Sequence, residues 1–305
     1  MNTVAVVVTN NRLALLKECL KAIKNQSYKL DAIVVVDNNS SDGTKEYLSA
    51  LSDSVIKPVF LSENLGGAGG FNRGFKEAMK LNADHLWIMD DDTIPDEDAL
   101  KELVKATSTL DGDYGFLSSY VYWKDGTPAN MNRPTLDSEN WLNNIDSNLF
   151  KIVDGTFVSM LVSADAVKEF GYPIKDFFIW GDDVNFARRV SEAFNCYFVP
   201  SSRVLHKCNS NKFTDIVRDD VNRIPRYYYE YRNRLYNYRQ FWGWRGLIKY
   251  FNTVFKGIIR ILLKSDHKIL RLKYLVMGFS AAIVFHPVIE EYDLEQNGRK
   301  SNNVF

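Results

Sequence analysis
Cysteine is scarce in this chain of 305 residues: Cys19, Cys196 and Cys208 are the whole complement. None of the three has the spacing of a disulfide framework or a metal clip, which excludes a cystine-stapled scaffold and points to a reducing, cytoplasmic setting. Long apolar runs are missing too. The longest, Tyr274 to Ile289, is interrupted by His286-Pro287, and it is shorter than the roughly twenty residues that a spanning helix needs. The amino terminus lacks a basic start and a cleavage pattern, so Thr3 to Thr9 reads as a first strand and not as a secretory signal. Net charge is absent, with 38 basic residues against 38 acidic, which removes any global argument for nucleic acid. There is no internal repeat and no low-complexity tract.

What is present is a folded-protein composition, 46% hydrophobic, ample for a full core. Short β-branched runs alternate with amphipathic stretches through the first half. Val4 to Val8, Ala32 to Val36, Val55 to Leu61 and His85 to Met89 read as strands, and Leu13 to Asn25, Thr44 to Leu51 and Gly70 to Leu81 as helices. This is the pattern of an α/β protein whose mostly parallel sheet is flanked by helices. After about Gly112 the strands shorten, with Phe116 to Tyr122, Thr156 to Ser163 and Tyr197 to Val199 as candidates, and Asp125 to Asn148 reads as a long polar loop. From about Asp215 the chain becomes helical, aromatic and basic. Between Arg223 and Lys273 stand thirteen Lys or Arg against Glu230 and Asp266, so this segment faces something anionic, with phospholipid the leading candidate.

Ligands of open α/β sheets gather at the carboxyl ends of the strands, and every conspicuous motif of the first half falls there. Thr9-Asn10-Asn11-Arg12 follows the first strand and Asp37-Asn38-Asn39-Ser40 the second. The second motif reads either as a capped turn or as a carboxylate, Asp37, turned toward a nucleoside. Asn64-Leu65-Gly66-Gly67-Ala68-Gly69-Gly70 precedes a helix and ends without the Gly-Lys-Ser/Thr of a P-loop. Its glycines suit a loop packed close to a bulky ligand, and Arg73 would help to neutralise a phosphate there. Asp90-Asp91-Asp92 closes the fourth strand. Adjacent carboxylates repel, so the triplet calls for a cation, most simply Mn²⁺ or Mg²⁺ with oxygen ligands, Asp92 first and Asp90 either beside it or on a ribose. Trp180-Gly181-Asp182-Asp183 stands ahead of a helical pattern. Either acid can cap that helix, and a partly buried carboxylate there can also deprotonate a hydroxyl beside the flat Trp180 ring. His206, after the next strand, reads either as a structural or exposed histidine or as a further ligand of that metal.

Together these motifs, in this order over about residues 1 to 210, resemble the family-2 inverting glycosyltransferases of GT-A fold. The asparagine-glycine segment and the tryptophan followed by two acids look most like bacterial galactofuranosyltransferases, with rhamnosyltransferases next. The resemblance implies a GT-A catalytic domain over 1–214, its nucleotide-sugar half about 1–112 and its acceptor half about 113–214, followed by a helical region over 215–305. It implies a UDP-sugar donor held by Thr9, Asn11, Arg12, Asp37, Asn39, Asn64, Gly66, Gly67, Arg73, Asp90 and Asp91. Asp92, Asp90 and His206 would hold the metal, Trp180 would meet the acceptor, and Asp183, with Asp182 beside it, would act as base. Gly181 departs from the adjacent tryptophan and acid common in galactofuranosyltransferases, and Asp182 stands where the wider family often has glutamate.

The implied reaction is transfer of galactofuranose to a hydroxyl of a lipid-linked glycan during cell-surface polysaccharide (O-antigen or capsule) synthesis, at the inner face of the cell membrane. Transfer of rhamnose, glucose or galactopyranose is the near alternative. A nucleotidyltransferase and a noncatalytic sugar-binding module are the more distant ones. Trp242, Trp244, Leu247, Ile248, Phe251 and Phe255 fit one apolar helix face for peripheral membrane contact; packing on the catalytic domain, or a homo-oligomer contact, would use the same face.

Overall fold
The structure, a computed structural model, describes residues 1–293. Its centre is one nine-stranded sheet in the order β3-β2-β1-β4-β8-β6-β9-β5, with β7 paired to β9. The strands are β1 (Thr3–Thr9), β2 (Ala32–Asp37), β3 (Ile56–Phe60), β4 (His85–Asp90), β5 (Thr93–Pro95), β6 (Phe116–Tyr122), β7 (Phe150–Lys151), β8 (Met160–Ser163) and β9 (Tyr197–His206). The first four run parallel, whereas β8 is antiparallel to both β4 and β6. The expected α/β architecture is therefore present, parallel in the nucleotide-side half and mixed beyond it.

Alternation along the strands builds two core layers. Val4, Val6 and Val8 of β1 point to one face of the sheet with Val34, Val36, Leu86 and Ile88, and Ala5 and Val7 point to the other with Ile33, Val35, Trp87 and Met89. The first face is covered by α3 (Gly66–Lys80) and α6 (Asp182–Ser191) through Phe71, Phe75, Phe186 and Val190. The second is covered by α1 (Leu13–Lys24) and α4 (Ala99–Thr109) through Leu16, Leu20, Ile23, Leu100 and Leu103. Helices α2 (Thr44–Ala50) and α5 (Ala164–Phe170) complete the flanks.

Three local readings are corrected. The glycine segment is helix, not loop, because α3 starts at Gly66, four residues ahead of the expected Gly70. Only Met160–Ser163 of the expected Thr156 to Ser163 strand pairs, since Ser159 takes a positive φ of 68°. Strand β9 in turn continues past Val199 through Pro200 to His206, its register with β6 shifting between Ser119 and Tyr120. That shift is a bulge, which lets a strand with a proline re-pair.

The carboxyl-terminal part is a bundle of helices, α7 (Tyr227–Lys264) and α8 (Lys268–Val284). Helix α7 is broken at Gly243, whose φ of 52° and ψ of −130° are not helical. The chain folds back there so tightly that a Cβ on Gly246 would lie 1.9 Å from the Tyr238 carbonyl oxygen. Tyr250 donates to the Tyr231 carbonyl across the break at 3.0 Å. The break also separates Trp242 from the expected apolar face, as Trp242 stays on the first half, beside Tyr238 at 5.0 Å. Residues 285–293 then return to the catalytic body, where the Glu290 carboxylate receives Asn72 and Lys76 of α3 and Lys175 at 2.8, 2.9 and 3.0 Å. No helix of the described residues is long and apolar enough to cross a membrane.

Candidate active site
The carboxyl ends of β1, β2 and β4 open into one cleft of about 980 Å³. Its wall includes Thr9, Arg12, Asn38, Asn64, Gly66, Gly67 and Asp90 to Asp92 from the parallel half of the sheet, together with Trp180 to Asp183 and His206. The two acidic clusters, far apart in the chain, thus meet across a single cavity.

The triplet is held by cationic and hydroxyl neighbours. Arg12 reaches Asp92 Oδ2 at 2.7 Å and Asp91 Oδ1 at 3.2 Å, and Thr9 Oγ1 donates to Asp91 Oδ2 at 2.7 Å. Strand β5 begins directly after Asp92 and pairs antiparallel with β9, Thr93 opposite His206; this register brings His206 Nε2 to 3.3 Å from Asp92 Oδ1. Burial, and then the charges of Asp92 and Asp91, push Asp90 up to about 8. Burial also lifts Asp91, against the pull of Arg12 and Thr9, up to about 6. For Asp92 burial is outweighed by the hydrogen bond and charge of His206 and by Arg12, which hold it below the usual carboxylate range.

The donor set suits a hard divalent ion. Asp92 Oδ1 is a buried carboxylate oxygen with no well-formed hydrogen bond. His206 faces it with Nε2, because Nδ1 meets Asn132 Oδ1 at 2.9 Å. Asn132 is fixed in turn by Thr156 Oγ1, to which its amide donates at 2.9 Å. Such outer partners set the tautomer and aim of a ligating imidazole. Of the three expected ligands Asp92 and His206 meet, and Asp90 lines the same cavity; among the described residues no group of three acids, histidines or cysteines closes into a metal-holding cluster. Substrate oxygens and water would have to complete the coordination.

The acid pair occupies the first turn of α6, whose N-cap is Gly181 with a φ of 87°, so neither acid is the cap. Asp182 is buried and Asp183 half-buried. Burial, with the charge of Asp183 next, raises Asp182 well above the usual range. Burial raises Asp183, against a hydrogen bond from the Val184 N–H, up to about 6. Proximity to a helix amino terminus favours the ionised form. Of the two acids of α6, Asp183 is thus the one whose carboxyl lies nearer its ordinary range.

The loop ahead of the pair is strained. Phe178 and Trp180 both sit at positive φ, 64° and 67°, which bulky residues rarely adopt. Helix α7 supplies the restraint. Asn233 Nδ2 faces the carbonyls of Phe177, Ile179 and Trp180 at 2.9, 3.1 and 2.9 Å, and Asn237 donates to the Gly181 carbonyl at 3.0 Å. These asparagines are one helical turn apart and both buried. From the other side, Ala68 N–H donates to the Phe178 carbonyl at 3.1 Å. Gly66, at φ 72°, is obligatory there, since a Cβ would lie 2.0 Å from that same oxygen.

Several expected site residues lie elsewhere. Arg73 is two turns inside α3 and pairs with Glu77 at 2.7 Å; it is not among the residues that line the cleft. The Asp37 carboxylate accepts from the Ser40 N–H at 3.0 Å, and it is Asn38 that lines the cleft. Asn11 bonds back to Ser41, and Asn39 sits at the turn with φ 60°. The edge of Trp180 meets Tyr227 at 5.3 Å, and Arg223 lies over its ring at 5.9 Å. No local pattern singled out Asn132, Arg188 paired with Asp154 at 2.7 Å, or the cleft lining from α7, which includes Arg234, Tyr238 and Trp242. Only the helical spacing of Asn233 and Asn237 could have hinted at them.

Comparison with known proteins agrees with this geometry. Residues 4–170 match the family model described as Glycosyl transferase family 2. Galactofuranosyltransferase GlfT1 of Mycolicibacterium smegmatis is 29% identical over 253 residues, covering 76% of this chain and 81% of the relative. The GalNAc(5)-diNAcBac-PP-undecaprenol beta-1,3-glucosyltransferase of Campylobacter jejuni is 38% identical over 91 residues, 28% of each chain. Among solved structures, S. aureus TarS superposes with a TM-score of 0.57 at 13% identity, covering 93% of this chain, which spans 44% of that one. Mannosyltransferase PcManGT from Pyrobaculum calidifontis, solved with GDP-Man and Mn²⁺, gives 0.53 at 17% identity, covering 94% and 76%. The fold is thus of GT-A type, and the match over more than half of the chain makes this protein an enzyme, a member of glycosyl transferase family 2.

Proposed function
We propose that the enzyme transfers galactofuranose from UDP-galactofuranose to a hydroxyl of a lipid-linked glycan, inverting the anomeric centre, with Mn²⁺ or Mg²⁺ as cofactor, in cell-surface polysaccharide synthesis at the inner face of the membrane. The observation that carries this reading is the single cleft shared by Asp90 to Asp92 with His206 and by Asp182-Asp183. Galactofuranose is favoured by the likeness to GlfT1 over three quarters of the chain, and a lipid-linked acceptor by the undecaprenol in the name of the glucosyltransferase relative.

Asp183 takes the proton of the acceptor hydroxyl, and that oxygen forms its bond to the anomeric carbon. The bond from this carbon to the phosphate oxygen breaks on the opposite face, and UDP leaves with the electron pair. A divalent ion, held by Asp92 and His206, would supply positive charge at the diphosphate. Thr9 and Arg12 keep the triplet in place, and the cleft wall around Trp180 excludes water from the reacting carbon. Asp182, whose carboxyl burial raises well above the usual range, holds its proton more tightly than Asp183 and leaves its neighbour as the base.

The test is a panel of UDP- and dTDP-sugars with Mn²⁺, with and without a short lipid-linked glycan, following nucleoside diphosphate release and product mass. Acceptor-dependent UDP release from UDP-galactofuranose alone is expected. Turnover of UDP-glucose or dTDP-rhamnose instead would overturn the sugar, and pyrophosphate release would overturn glycosyl transfer itself.

A further inference from the structure
We propose that the solvent-facing side of α7 and α8 is a docking surface for an anionic lipid bilayer, on which the enzyme rests without crossing it. Beyond the break at Gly243, helix α7 presents three faces. Gly246, Tyr250, Val254, Gly257 and Ile261 are buried against the rest of the bundle. Trp244, Ile248, Phe251, Phe255, Ile259 and Leu262 recur at spacings of three and four and are all exposed, Trp244 by 66% and Phe255 by 63%. Arg245, Lys249 and Lys256, four and seven residues apart, lie between these two faces, with Arg260 continuing the row but paired with Asp215 at 2.6 Å. Helix α8 extends the apolar side with Ile269, Val276 and Ile283, again exposed. Between the helices runs an apolar groove of about 570 Å³, lined among others by Phe251, Phe255, Val276 and Phe279.

An apolar area of this extent is unusual on a soluble surface and marks an interaction site. Its charge chooses the partner. Helix α7 carries one acid, Glu230, which lies before the break and pairs with Arg234, and α8 carries none. A second copy meeting the same face would bring two rows of cations together, whereas an anionic headgroup layer meets them with opposite charge. An apolar stripe beside a row of Lys and Arg is the form of a helix lying in the interface plane. The first half of the same helix lines the cleft through Asn237, Tyr238 and Trp242, so docking would set the cleft beside the bilayer. The purpose of docking rests on the lipid-linked acceptor proposed above, but the binding itself needs no sugar.

The experiment floats full-length protein with vesicles of phosphatidylcholine alone or with phosphatidylglycerol added, at two salt concentrations and without substrate. Sedimentation of the free protein reads its oligomeric state. Partitioning onto the anionic vesicles is expected, weakening with salt and by roughly fivefold for each of Lys256→Gln and Lys273→Gln. The double variant Phe251→Glu, Phe255→Glu should lose it, while an unchanged melting curve and unchanged turnover of a water-soluble acceptor analogue show that fold and chemistry persist. Failure of the wild type to float, or equal binding to neutral vesicles, overturns the proposal, as does a dimer that the double variant dissociates. Flotation without any sugar turnover would leave the docking surface standing and sink the donor reading instead.

Discussion

At the scale of single residues, chemistry was readable where it lies in contiguous sequence and hidden where folding assembles it. The aspartate triplet and Asp182-Asp183 announce themselves, because clustered carboxylates at a strand exit or helix start need a reason to be there. Asp183 carries a pH prediction. Burial holds its carboxyl up to about 6, and a base must be ionised, so transfer should fall as pH drops through 6 and level off above it. Asp183→Asn should remove that limb together with about 10²- to 10⁴-fold of kcat, with UDP binding by calorimetry unchanged. Retained turnover in the variant would assign the proton to another group. Arg73 shows the opposite case. A cation after a glycine run looked ready for phosphate, yet the glycines entered the helix, and Arg73 pairs with Glu77 outside the cleft lining. Asn132 lay in a polar loop with nothing to distinguish it from its neighbours. Its position against His206 depends on contacts between segments that no local pattern encodes.

At the scale of elements, the parallel strands were legible almost to the residue, since buried β-branched runs have few other uses. Strand β9 was not, because Pro200 interrupts its local pattern while pairing with β6 and β5 sustains it. The element with most consequence for the site is the first half of α7. Asn233 Nδ2 shares its two N–H donors among three nearby carbonyls of a loop that holds two aromatic residues at positive φ. Asn233→Ala would take this donor from the partly buried Ile179 and Trp180 carbonyls, while the Phe177 carbonyl keeps the Ile179 N–H at 2.7 Å, at a cost of about 1–3 kcal/mol, and would free the loop to relax. Melting temperature and kcat should both fall, with kcat falling further than the loss of folded protein explains and with UDP affinity largely kept. A kcat that tracks only the folded fraction would limit Asn233 to a stabilising role.

At the scale of the whole molecule, the described chain closes on itself through Glu290. Burial opposes ionisation there, but hydrogen bonds from Lys76, Lys175 and Asn72 outweigh it and hold the carboxyl at about 2, below an ordinary value of 4.5. A carboxylate depressed by folding stabilises the native state above its unfolded pKa and ceases to do so as pH falls through the folded one. Glu290→Gln should therefore lower stability at neutral pH by about 1 kcal/mol, as expected of a partly exposed cluster. The gap from wild type should narrow as pH is lowered from 4.5 toward 2. Urea unfolding across that range tests it; a gap independent of pH would mean that packing, and not charge, ties this segment down. The restraint of the Phe178–Gly181 loop by α7 has a further consequence, for biosynthesis. A ribosome delivers both acids of α6 well before Asn233 and Asn237, so a growing chain can hold a complete central sheet while the Phe178–Gly181 loop is still unset. On the proposed reading, catalytic competence then waits for the first half of α7, and a copy still lacking it would be inert toward acceptor even where it can already hold a donor.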